Sequence, residues 1–233
     1  MPRFICLLAL LPVLASAQPK AARTCRILFL GAPDGAPEKL HLFDGEKSQP
    51  VELPQMNLSP VYQLPAGALV LRMLPAPPAD PKAVSPEAPK AALGEAVTDF
   101  FILVSSDPSN NITPVKMRII DVSGSKLPRG HMLWFNLTPN TVGGQVGSRK
   151  LVSQPNSRTV LGAPASATED YQVNLNFRMP GNEHLYPLCE TKRLHDPSSR
   201  TLFFIVAQNG SRTPRILGFP DQRDEEEGKK AKP

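Results

Sequence analysis

The apolar segments of this chain are all short, and that limits its fold more than any other feature. Runs rich in Val, Ile, Phe and Leu are broken roughly every 8 to 12 residues by Pro, Gly, Asn or Asp, the rhythm of strands and turns, and no stretch sustains a helical period. The fold class is therefore all-β, with strands predicted over 26–30, 39–43, 51–53, 61–64, 68–74, 99–104, 115–122, 132–137, 141–146, 159–161, 171–178, 202–207 and 215–219. Asp44-Gly45 and Pro65-Ala66-Gly67 supply turn residues between them. Of 233 residues, 41% are hydrophobic, enough apolar material for a packed core.

An internal likeness sets the number of units. Phe100-Phe101-Ile102-Leu103-Val104, a polar turn and Thr113-Pro114-Val115 parallel Leu202-Phe203-Phe204-Ile205-Val206, a polar turn and Thr213-Pro214-Arg215. The two hairpins lie about 100 residues apart, and each closes a seven-strand-like unit opened near Arg26 or His131, which suits two immunoglobulin-like β-sandwiches in tandem. The expected units are 23–122 and 123–222, with one continuous larger sandwich as the alternative. Six of the fifteen residues from Pro75 to Pro89 are proline, which cannot donate to a ladder, so 75–96 is expected to be a proline-rich insertion, either loop or linker. The charged tail 223–233 has almost no apolar residue to anchor it and is expected to be disordered.

The N-terminus is an address. Arg3, the apolar run from Phe4 to Leu14 and the small-x-small pattern Ala15-Ser16-Ala17 read as a signal peptide over 1–17, cleaved before Gln18. That run is shorter than the ~20 residues a spanning helix needs, and no later segment qualifies, so the expected location is periplasmic, cell-surface or extracellular. Loss of Arg3 leaves 25 Lys and Arg against 21 Asp and Glu, a mild excess without the basic stripe and aromatic platforms of nucleic-acid binding. Two cysteines remain, Cys25 and Cys189, and an oxidising compartment permits a disulfide between them; two separate thiols are the alternative.

Residues with chemical potential are scattered. Ser123-Gly124-Ser125-Lys126 fits Ser-x-x-Lys, but the companion motifs of the penicillin-recognising enzymes are absent and the segment reads as a loop. His41, His131, His184 and His195 show no metal-ligand spacing, and no cofactor is implied. Asp99, Asp121, Glu169 and Asp170 are carboxylates that folding could bring together, although no spacing selects a pair. Asn57, Asn111, Asn136 and Asn209 each begin an Asn-x-Ser/Thr triplet. Trp134, Tyr62, Tyr171 and Tyr186 are the candidates for stacking on a sugar, with Trp134 favoured as core because it lies in an apolar strand.

The segment from Arg26 to Pro37, followed by Leu40-His41-Leu42-Phe43-Asp44-Gly45 and Leu64-Pro65-Ala66-Gly67, resembles a bacterial extracellular domain family with no assigned chemistry. Its members show a strand, a Ser-Pro-Asp-Ala-Pro turn, a second strand ending in Asp-Gly, and a Leu-Pro-Ala-Gly turn. This chain departs from the pattern at Ala32, in place of the serine, and at the inserted Gly35. The resemblance covers roughly 23–122 and implies an immunoglobulin-like sandwich displayed on or near the cell surface, without carrying over site residues. The expected function is a non-enzymatic structural or interaction module of the bacterial cell envelope, with envelope or surface proteins as partners and pilus or other surface assembly as one setting. A carbohydrate-binding module with a glycan ligand is the alternative, and an unrecognised hydrolase a third reading.

Overall fold

A computed structural model of the chain describes residues 23–222; the export signal and the charged tail expected at 1–17 and 223–233 lie outside the described residues. The first half contains β1 (Arg23–Phe29), β2 (Lys39–Phe43), β3 (Ser48–Glu52), β4 (Tyr62–Leu64), β5 (Leu69–Leu74), β6 (Lys90–Leu93), β7 (Asp99–Ser106) and β8 (Val115–Asp121). The second contains β9 (Met132–Asn136), β10 (Thr141–Val146), β11 (Arg149–Ser153), β12 (Ser157–Leu161), β13 (Asp170–Arg178), β14 (Tyr186–Leu194), β15 (Arg200–Val206) and β16 (Arg215–Asp221). They form four four-stranded sheets, β4-β1-β7-β8 and β3-β2-β5-β6 in the first unit, β12-β9-β15-β16 and β11-β10-β13-β14 in the second. Adding eight to every strand number converts one unit into the other. In each, all pairings are antiparallel except that between the opening and the penultimate strand, β1 with β7 and β9 with β15.

Each unit thus has eight strands, not the seven expected, and the added ones are short or one-sided in character. In β6 the sequence Lys-Ala-Ala-Leu has little β preference, yet it pairs with β5 as an edge. In β14 the ladder slips at Leu175/Asn176, and Pro187 sits at that irregularity on an edge strand, where proline is tolerated. Strand order also differs from the constant-type immunoglobulin arrangement, in which the first and second strands share a sheet. Here β1 and β2 belong to opposite sheets.

The sheets stack in four layers. Cys25, Ile27, Phe100, Ile102 and Val104 pack against Leu42, Val51, Leu71 and Met73 to make the first core. Trp134, Phe203 and Ile205 pack against Val142, Val173, Leu175 and Phe177 to make the second. A third apolar layer joins the backs of the two inner sheets: Leu28, Phe101 and Ile120 meet Leu133, Phe135, Leu202, Phe204 and Phe219. The inner sheets are therefore buried on both faces, which requires continuous apolar strands. Phe100 to Val104 and Leu202 to Ile205 are such runs, whereas β13 on an outer sheet alternates buried and exposed at every residue.

This layering corrects the register of the internal repeat. Phe100 and Ile102 face their own core as Phe203 and Ile205 do, while Phe101 and Phe204 both face the junction between units. Phe100 therefore cannot be the structural equivalent of Leu202, which faces the junction, and the two hairpins match only after a shift by an odd number of residues, because a slip of one sends every side chain to the other face.

The proline-rich segment is a loop of the first unit and not a spacer between units. Within 75–96 it contains a short 3-10 turn, Pro81–Ala83, capped by Asp80, and the strand β6. Arg72 Nη1 donates to the carbonyls of Ser85 (3.0 Å) and Pro86 (3.2 Å), and Val84 and Ala88 pack on Phe43 and Leu74.

Candidate functional site

The densest polar constellation lies at the seam between the two inner sheets. Asp221, at the end of β16, is fully buried; it accepts from Arg26 of β1 at 2.9 Å and from Arg200 Nε of β15 at 2.8 Å. Arg200 also pairs with Asp99 of β7, donates to the carbonyls of Val122 (3.3 Å) and Leu127 (3.4 Å), and lies over the Phe101 ring. Arg26 Nε reaches the carbonyl of Ser59 at 2.6 Å. Two arginines and two aspartates from both units therefore form one ion-pair chain, with backbone acceptors using the remaining guanidinium hydrogens.

Ser123 belongs to the same region. Its hydroxyl accepts from the main-chain N–H of Thr98 (2.9 Å) and Asp99 (3.1 Å) and donates to the carbonyl of Asp99 (3.1 Å). Lys126 pairs with Asp121. Burial by itself would raise the Asp121 carboxyl, but the hydrogen bonds from Lys126 and from Ser123 outweigh it and hold the group below the usual carboxylate range. The Ser-x-x-Lys match is thus a loop cap: the serine ties down the start of β7 and the lysine neutralises an aspartate.

The other sequence candidates are dispersed. Cys25 is buried in the first core, whereas Cys189 lies half-buried against the second, on an outer sheet; both inner sheets intervene, and no disulfide joins them. Trp134 is buried and stacks on Phe203 at 4.2 Å, Tyr171 is buried, Tyr62 is half-buried with its hydroxyl accepting from Glu52 N–H at 2.8 Å, and Tyr186 stacks on Phe177 at 5.4 Å. The aromatic side chains proposed to stack on a sugar are thus core or core-edge residues. Asn136 is buried too, its amide donating to the carbonyls of Asn140, Ser153 and Gln154, so that triplet folds a turn. His184 is exposed beside Tyr186, His131 meets the Arg129 carbonyl, and His41 and His195 lie in different units. Among the described residues, no group of three His, Cys, Asp or Glu is placed to hold a metal ion.

A cleft of about 750 Å³ opens at one end of the second unit. It is bounded by the β10–β11 turn, the β12–β13 connection, the β14–β15 connection and, from the segment linking the units, Arg129 and Gly130. Sequence reasoning named Glu169, Asp170, Tyr171 and His195, all of which line it, but nothing in their spacing joined them to Arg129 and Arg149. His195 is only 4% exposed and its Nε2 has no hydrogen-bond partner. Its main-chain N–H donates to the Glu169 carbonyl at 2.8 Å, and its ring meets Tyr171 edge to face at 6.4 Å. Burial pushes the Tyr171 phenol above its usual range, partly offset by Arg193.

No family model matches the chain, and no curated protein matches it. Among solved structures it shows a weak likeness to a DUF3823 family protein from Bacteroides ovatus ATCC 8483, at 16% sequence identity over 75% of this chain and 98% of that one, with a TM-score of 0.19. A score that low carries no argument about this chain.

Proposed function

We propose that the protein is an exported, non-enzymatic interaction module of the bacterial cell envelope, made of two immunoglobulin-like sandwiches in the broad sense of paired sheets with loops at both ends. The observation that carries this reading is the use to which the most reactive residues are put. Of the residues from which a hydrolytic site would be assembled, Asp99, Asp121, Ser123 and Lys126 are engaged in locking strands and units together, while Glu169 and Asp170 are exposed on the cleft of the second unit. A stack rigidified in that way presents polar outer faces and loop ends to a partner.

Recognition by strand addition has a poor platform on the longest outer edge, because β14 carries Pro187, Lys192 and Arg193, which blunt it. The outer face of β13, with Gln172, Asn174 and Asn176 exposed at alternate positions, suits a polar partner surface better. The test has two arms. Fractionation should find the chain outside the cytoplasm with Gln18 as its first residue; retention of residues 1–17 in the cytoplasm would overturn export. Affinity capture from envelope extract should return one saturable protein partner, weakened by Asn174→Arg. Turnover of an ester or glycoside panel that is abolished by Ser123→Ala or Asp99→Asn would sink the non-enzymatic reading.

A further inference from the structure

The two closing hairpins are built alike, yet their turns are held very differently. After β7 the N–H of Asn110 donates to the Asp107 carbonyl at 3.0 Å, and after β15 the N–H of Ser211 donates to the Gln208 carbonyl at 3.1 Å. Position for position, Asp107-Pro108-Ser109-Asn110 answers to Gln208-Asn209-Gly210-Ser211. The first turn is locked. Pro108 fixes its own φ, and Asp107 Oδ1 accepts from the Ser109 hydroxyl at 2.6 Å. Asn110 is held at both ends of its amide: Oδ1 accepts from the N–H groups of Ile112 and Thr113, each at 3.0 Å, and Nδ2 donates to the Glu87 carbonyl at 3.0 Å.

The second turn lacks these ties. Residues 207–213 are all exposed, and neither the Asn209 amide nor the Gly210 N–H has a hydrogen-bond partner among the described residues. Gly210 stands at φ +76°, the third position of a type II turn, and a Cβ built on it would meet nothing within 4 Å. The bond that closes the turn is itself at the surface, where such bonds open readily. Asn209 is also the only asparagine of the chain that is followed by glycine. Joining an asparagine Cγ to the next main-chain nitrogen makes a five-membered ring, an intramolecular reaction favoured by proximity. In most sequences the following side chain crowds that approach and the fold holds the backbone still. At Asn209 there is no following side chain, and no bond holds either reacting group.

We propose that Asn209 is a site of spontaneous deamidation in the folded protein. The Gly210 nitrogen gives its proton to solvent and attacks Asn209 Cγ. The new N–C bond forms as the bond from Cγ to the side-chain nitrogen breaks, and that nitrogen takes a proton from solvent and leaves as ammonia. Water then opens the cyclic imide at either carbonyl, giving an aspartyl residue or an isoaspartyl one whose main chain runs through the side-chain carbon. One water is consumed and one ammonia released, with no change of oxidation state. Either product sets a carboxylate near the exposed Arg212 and Arg215, and the isoaspartyl form lengthens the turn by one backbone carbon. The reaction is independent of the protein partner proposed above.

The test is peptide mapping by mass spectrometry of the full folded chain, incubated at neutral and at mildly alkaline pH and compared with an unincubated sample. The tryptic peptide 201–212 should convert to two acidic products, faster at the higher pH because the attacking nitrogen must lose its proton. The peptide carrying Asn110 and Asn111 should stay unconverted over the same period. Gly210→Ala should slow the reaction about tenfold or more. Because alanine is strained at that positive φ, Asn209→Gln is the second variant: its longer side chain keeps the glycine in place but would need a six-membered ring, and peptide 201–212 should then stay intact. No conversion at Asn209 in the folded chain, equal conversion at Asn110 or Asn111, or an unchanged rate in Gly210→Ala or Asn209→Gln would each overturn the proposal.

Discussion

Asp221 ties the two units together from the end of β16. It is fully buried between Arg26 and Arg200, so replacing it takes the carboxylate partner from Arg26 and one of two from Arg200, whose other is Asp99, in a region with little access to water. Asp221→Ala should cost about 3–5 kcal/mol, read as a lower urea midpoint at unchanged slope, whereas a substitution at exposed Asp34 should change it by no more than about 0.5 kcal/mol. Asp121 acts through pH. Its carboxyl titrates lower in the folded chain than the unfolded value of about 3.9, so the unfolded chain takes up the proton first as pH falls. The stabilisation is complete above about pH 5 and is lost as pH drops through the folded value, and Asp121→Asn should flatten the pH dependence of stability over that window. The two thiols also differ. Cys189, half-buried, should react with a thiol reagent in the folded state before Cys25, which is buried in the first core, and reductant should leave the thermal midpoint unchanged. A reductant-sensitive midpoint would show that the cysteines are linked after all.

At the scale of elements, strand character follows layer position. The β7 and β15 runs are apolar throughout because both faces of their sheets are covered, and β13 alternates because one face of its sheet meets solvent. Those strands were legible in sequence, as was the β2–β3 turn, where Asp44 Oδ1 accepts from the N–H groups of Glu46 (2.9 Å) and Lys47 (2.7 Å). The strands β6, β11 and β14 were not, because each is an edge with one solvated face and its place comes from the neighbour it pairs with. Gly144 is a sharper constraint. It lies at φ +151°, and a Cβ there would stand 2.0 Å from the Asn174 carbonyl on β13. Gly144→Ala should therefore disturb the β10–β13 register and destabilise by more than about 2 kcal/mol, with loss of slow amide exchange confined first to those two strands.

At the scale of the whole molecule, the apolar layer between the inner sheets is the main term in joining the two units. Each Leu or Phe buried there contributes roughly 1.5–3 kcal/mol, while a buried ion pair is close to neutral against an apolar replacement. The layer holds the units together, and the arginine–aspartate chain fixes how they register. Separating the halves would bare Leu28, Phe101 and Ile120 on one side and Leu133, Phe135 and Phe204 on the other. Residues 23–127 alone should bind a hydrophobic dye and self-associate, as measured by light scattering, and Phe204→Ala in the full chain should cost about 3–5 kcal/mol. A monomeric, dye-silent half would show that the junction is dispensable.

The sequence by itself determined thirteen of the sixteen strands, the turns that separate them and the doubling of one pattern, because these follow from local periodicity and from the backbone limits of Pro, Gly and Asp. Only the tertiary structure decided which face of each strand turns to which layer, and with it that Phe100 and Leu202 are not equivalent. The same holds for the cleft. Arg129, Glu169 and His195 come from three separate connections and Arg149 from the first position of β11, and no spacing along the chain records that segments closing different strand pairs meet at one end of a sandwich. Side-chain partners such as Asp221 with Arg26, 195 positions apart, exist because sheets stack, a long-range consequence of burying both faces of the inner pair.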